Sequence, residues 1–71
     1  MKINTKALNE LIEEKYRGNK TWFAEIIGLN PKTLIQLLNG SYSDESPKAI
    51  RCITMFCKNN KLNYKDYIFL P

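Results

Sequence analysis

Two thiols and three clustered carboxylates are the side chains of this 71-residue chain whose types could support chemistry of their own. Cys52 and Cys57 stand five apart on a segment with helical periodicity, which turns them to different faces and orients them poorly for a disulfide within one helix. The chain has no histidine and no Cys-x-x-Cys, so a zinc site lacks both ligands and spacing, and no metal or other cofactor is expected. Cysteines in this setting fill a core as small apolar groups. Glu10, Glu13 and Glu14 read as the solvated face of an amphipathic helix rather than as a general acid and base, and no nucleophile has a candidate base beside it. No catalytic residue is therefore nominated, and neither an enzyme nor a small-molecule substrate is expected.

Binding is left, and the residues that organise it are Lys20 to Asn39, KTWFAEIIGLNPKTLIQLLN. Ala24 and Gly28 lie four apart, on one helical face, with Gly28 ending the first of two short helices. Phe23, Ala24 and Ile27 face inward from that helix, Leu29 plugs the turn, and Leu34 and Leu37 return the contact from the second. The second helix starts at Asn30-Pro31, a capping side chain followed by a residue whose missing N–H costs nothing in the first turn, and stops at Asn39-Gly40. Asn19 caps the first helix, with Thr21 the alternative. This is the pattern of a helix-turn-helix.

The flanking segments complete an all-α reading with five helices and no strand. Asn4 or Thr5 caps a first helix running to about Tyr16, with Leu8, Leu11, Ile12 and Tyr16 as its apolar stripe. SYSDES, at 41–46, is a loop. Ser46-Pro47 opens a fourth helix that buries Ile50, Ile53, and Phe56 or Cys57 and frays at Asn59-Asn60. Asn63 with Asp66 resembles a capping box for a short fifth helix carrying Tyr67, Ile68 and Phe69.

Length fits a single domain, 1–71, with one modest core. The formal charge of +4 and pI near 9.2 are compatible with a phosphate-bearing partner. No apolar run is long enough for a membrane span, and MKINTKALNE lacks the apolar core of a signal peptide, so a cytoplasmic location and no membrane partner are expected.

The stretch, with helical patterns on both sides, resembles the phage repressor and Cro family of helix-turn-helix proteins, the XRE superfamily, over nearly the whole chain. In that family an alanine and a glycine four apart anchor the motif, as Ala24 and Gly28 would here, and the second helix commonly ends in Asn-Gly, as at Asn39 and Gly40. The resemblance implies a five-helix, lambda-repressor-like DNA-binding domain whose second motif helix enters the major groove. Lys32 and Gln36, four apart on the outward face, match base-reading positions, lysine donating to guanine and glutamine pairing with adenine. Lys20 matches a phosphate-contacting position, and Thr33 and Asn39 reach phosphates as well. The implied function is transcriptional regulation at operator DNA in a phage or prophage lysogeny switch. A homodimer on a two-fold operator is expected, with YKDYIFLP as one dimer surface.

The chain also departs from the family's pattern. Pro31 occupies a place where relatives often present a polar base-reading side chain, and Ile35 and Leu38 stand where polar groups are usual. Trp22 and Ile26 do the same on the preceding helix. Each pair forms an apolar stripe on a helix expected to face outward, and such patches mark partner surfaces. Ile26 and Leu38 are within reach of the first and fourth helices; Trp22 and Ile35 are harder to bury. Lys20 and Lys32 are the only cations within the motif, where Glu25 also sits and Asp44 and Glu45 follow. These departures carry a second reading: an antirepressor, a modulator of repression that grips a partner phage repressor through Trp22, Ile26, Ile35 and Leu38 and blocks that repressor's DNA binding.

Overall fold

Each helix begins at a side chain that supplies a hydrogen-bond acceptor to its otherwise unpaired N–H groups. In the computed structural model, which describes residues 1–70, these caps are Asn4 for α1 (Thr5–Lys15), Asn19 for α2 (Lys20–Ile27), Asn30 for α3 (Pro31–Asn39) and Ser46 for α4 (Pro47–Asn59). Asn19, not Thr21, takes the cap of α2, accepting from Trp22 N–H at 3.0 Å. Pro31 and Pro47 occupy the first turns of α3 and α4 as their spacing predicts.

The stop of α2 is chemical rather than steric. Leu29 N–H donates to the Ala24 carbonyl at 2.9 Å and Gly28 N–H to the Glu25 carbonyl at 3.3 Å, the paired bonds that reverse a helix through a left-handed residue. Gly28 holds that conformation with φ 79°, and a Cβ built there would meet no heavy atom within 4 Å. Gly28 thus ends α2 as its spacing predicts; it is exposed and required by backbone geometry, whereas Ala24, four residues earlier, is fully buried. Gly40 repeats the device at the end of α3, with φ 88° and Ser41 N–H donating to the Gln36 carbonyl at 2.8 Å.

One core holds the helices together. Leu8, Leu11 and Ile12 of α1, Phe23, Ala24 and Ile27 of α2, Leu29 in the turn, and Leu34 and Leu37 of α3 are all buried. α4 contributes Ala49, Ile53, Phe56 and Cys57, with Ile50 only half-buried; Phe56 and Cys57 both enter the core. α2 lies against α3 and α4, and α1 against α3. An aromatic cluster joins the layers, the Phe23 and Phe56 rings meeting edge to face with centroids 5.1 Å apart.

The chain is mostly helical, as expected, but the described residues form four α-helices rather than five, and they do contain a sheet. Asn63 Oδ1 accepts from Lys65 N–H and starts only a three-residue 3-10 turn, Tyr64–Asp66. The next residues, read as the body of a fifth helix, form β2 (Ile68–Phe69), antiparallel to β1 (Lys2–Ile3) with Ile3 opposite Ile68. The reason is burial: pairing sets Ile3 and Ile68 into the core while Lys2 and Phe69 stay exposed, and a helix there would give up that pairing. Asn4 N–H donating to the Tyr67 carbonyl at 2.8 Å extends the ribbon, and Ile3 N–H donates to Asp44 O, so β1 also anchors the loop after α3. Among the described residues no helix is long and apolar enough to cross a membrane.

Candidate interaction surface on α2 and α3

The two glycine stops and the two asparagine caps fix which side chains of α2 and α3 reach solvent. On α3, Lys32 is exposed and Gln36, one turn later, is half-exposed. Among the described residues neither the Lys32 ammonium nor the Gln36 amide has an intramolecular partner, so both keep their donors for another molecule. Their helical spacing sets them on one side of the helix.

The residues expected to meet phosphate differ among themselves. Lys20 opens α2 and is half-exposed; Thr33 is half-buried in the first turn of α3. Asn39 is exposed, but its Oδ1 accepts from Ser41 N–H at 2.9 Å, which ties its carbonyl to the turn and leaves the Nδ2 donors.

The apolar stripe separates into two parts. Trp22 is 47% exposed, Ile26 44% and Ile35 42%, a large apolar share for helices whose other faces are packed. Leu38 instead lies half-buried against the core, so three of the four residues expected to grip a partner stand out and the fourth turns inward. The Trp22 ring meets Tyr16 edge to face with centroids 4.9 Å apart, and Tyr16 in turn lies 5.2 Å from Phe23. Sequence reading assigned Tyr16 to the stripe of α1 and missed that it sets the pose of the indole. The signal was their closeness in the chain across the short Arg17–Asn19 turn.

Electrostatics at this surface are weak. Lys20 and Lys32 are the cations of α2 and α3 against the exposed Glu25 of α2, and Asp44 is drawn to Lys2 at 3.9 Å. None of the four helices carries an acid in its first turn, where Lys6, Lys20, Lys32 and Lys48 stand instead, so the positive ends of the helix dipoles are reinforced rather than compensated. Away from this face, burial pushes the Cys57 thiol above its ordinary value, with the Asp66 carboxylate adding to it, and burial does the same to the Tyr67 phenol. Among the described residues no three groups from histidine, cysteine, aspartate and glutamate converge as a metal site would need.

Set against protein-family models, curated proteins and solved structures, the chain matches none of them.

Proposed function

We propose that this protein is a small, non-enzymatic helix-turn-helix transcriptional regulator, of the kind found in phage and prophage genetic switches, that reads operator DNA through α3. The observation that carries this is the pairing of a glycine-stopped α2 with an Asn-Pro-started α3 whose Lys32 and Gln36 keep unpartnered donors on one side. With α3 in the major groove, the Lys32 ammonium donates to guanine O6 or N7, and the Gln36 amide gives and accepts one bond each with adenine. Lys20 and Thr33 fix register on phosphate. Half-sites one helical turn apart, about 34 Å, suit two copies of a domain whose longest extent is 30 Å. The exposed Phe69 of the ribbon and Leu70 after it are a surface for that dimer.

The test is in vitro selection from a random-sequence duplex library. A common half-site should be enriched, and Lys32→Ala and Gln36→Ala should each lose about 1–3 kcal/mol of discrimination at particular base pairs. If no sequence is enriched, operator reading fails and the second reading takes its place.

That second reading, an antirepressor, is favoured by Trp22, Ile26 and Ile35. All three are exposed apolar side chains on the two helices that would meet DNA, where phosphate offers nothing apolar in return. Held on the Tyr16 edge, the Trp22 indole loses little freedom on binding, as a good aromatic anchor requires. Adding the repressor of the same switch should shift Trp22 emission to the blue, and Trp22→Ala should remove the complex while leaving the helical circular dichroism intact. An unshifted emission with an intact repressor sinks this reading.

A further inference from the structure

The positive charge of this protein is not where α3 would use it. Through Ser46 the chain carries six cationic side chains and six carboxylates; from Pro47 onward it carries Lys48, Arg51, Lys58, Lys61 and Lys65 against Asp66 alone, so the whole surplus of +4 lies in that segment. Lys48, Arg51 and Lys58 are exposed on α4, together with Met55. At 3.6 residues per turn these four fall within an arc of about 80°, and the three cations span about 15 Å of helix. The opposite side of α4, with Ala49, Ile53, Phe56 and Cys57, is buried in the core. The row is therefore a fixed, outward ridge of charge on a helix that lies against α2.

Lys58, in the last turn of α4, suits the negative end of the helix dipole, but Lys48 and Arg51 have no such explanation. The one ion pair among the described residues is Lys2 with Asp44, so none of these cations answers a carboxylate of those residues. Lys48 sits in the first turn of α4, where the helix dipole disfavours a cation and where no acid is present. Lys48 and Arg51, three apart, are like charges on adjacent turns, which also opposes the helix. These placements weaken the free protein and gain only when an anion arrives.

From these observations we infer that the outward face of α4, with Lys61 just after it and Lys65 in the 3-10 turn, is a second nucleic-acid surface that holds the phosphate backbone of duplex DNA without reading sequence. This goes beyond operator reading by α3 and stands whether or not α3 selects a site. Phosphates recur along a strand every 3.4 Å of axis, so a ridge of this length faces several of them. A protein partner is a poorer fit, because the ridge offers no aromatic anchor and protein interfaces are depleted of lysine. A lipid surface is poorer still, since the apolar side of α4 is already committed to the core.

The experiment is fluorescence anisotropy of a labelled 20-base-pair duplex of scrambled sequence, titrated with the whole protein across a salt series. Each phosphate contact contributes about 0.9 to the slope of log affinity against log salt, so five contacts cost about 500-fold between 50 and 200 mM salt. The combined variant Lys48→Gln, Arg51→Gln, Lys58→Gln should cut that loss to about 10-fold, while Lys32→Ala lowers the slope by one contact at most. All three substituted side chains are exposed, and circular dichroism checks that the fold is kept. Absence of binding by the wild-type protein at 50 mM salt overturns the inference, as does a combined variant with the wild-type slope. Equal affinity for poly-glutamate of matched charge overturns the assignment to nucleic acid. Failure of sequence selection, with this α4 dependence intact, would remove the α3 reading alone.

Discussion

Replacing Gly28 by alanine separates two roles that a glycine between helices can have. If glycine were needed for close approach, an added methyl would collide with α3. The space is open: no heavy atom lies within 4 Å of the added Cβ. What remains is the backbone, held at φ 79° and ψ 24°. An L-residue in this left-handed region costs roughly 1–2 kcal/mol, and alanine returns about 0.4–1 kcal/mol by restricting the unfolded chain. The net expectation is a loss of about 1 kcal/mol, which for a domain of this size lowers Tm by roughly 4–8 °C. Thermal and urea unfolding followed by far-ultraviolet circular dichroism would measure it, with an unchanged urea slope. Gly28→Asn should lose less, because asparagine tolerates the left-handed region. A loss of roughly 3 kcal/mol or more, the size of a core defect, or an asparagine variant as damaged as the alanine one, would refute the backbone argument.

Two further perturbations test the packing and the buried titratable groups. Ala24, fully buried four residues earlier, should behave in the opposite manner: Ala24→Leu adds volume where α2 meets α3 and should lose about 1–3 kcal/mol by overpacking, read from the same unfolding curves. Cys57 and Tyr67 are both held above their ordinary values, so on raising pH the unfolded chain releases its protons first, and their contribution is complete below the ordinary values of 9.0 and 10.0 and lost above them. Tm should therefore fall on moving from neutral to strongly alkaline buffer, with a shallower fall in Cys57→Val; equal alkaline slopes for the two proteins would show that the thiol is not involved.

Most of the helical scaffold was legible because its signals are local. Asn30-Pro31, Ser46-Pro47 and Asn39-Gly40 each specify a helix end through the conformations those residues favour, and all three stand where the sequence puts them. The core residues of α2 and α3 followed from a 3.6-residue period that two full turns are enough to display. The ribbon was not legible, because a two-residue strand shows no alternation and its partner lies at the far end of the sequence; the asparagine cap at Asn63 was real but led to one turn only. At the candidate site, the exposure of Trp22 and Ile35 could be argued from helix geometry, whereas Leu38 turned inward because half-exposed positions depend on neighbours a single helix does not specify. Gly28 ends α2 as its place in the sequence predicts, and the open space around it shows that the requirement is conformational rather than one of close packing.

The ribbon that joins Lys2–Ile3 to Ile68–Phe69 has a consequence in time as well as in structure. The helices are local and form within about a microsecond, but bringing Ile3 to Ile68 requires almost the whole chain to be gathered first, at an entropic cost that rises with the length enclosed. Pairing of the two strands therefore belongs on the native side of the folding barrier. Interactions made after the barrier leave the folding rate alone and set the unfolding rate. The two smallest elements of the protein thus govern how long the native state survives once it has formed, while the four helices govern how quickly it is reached.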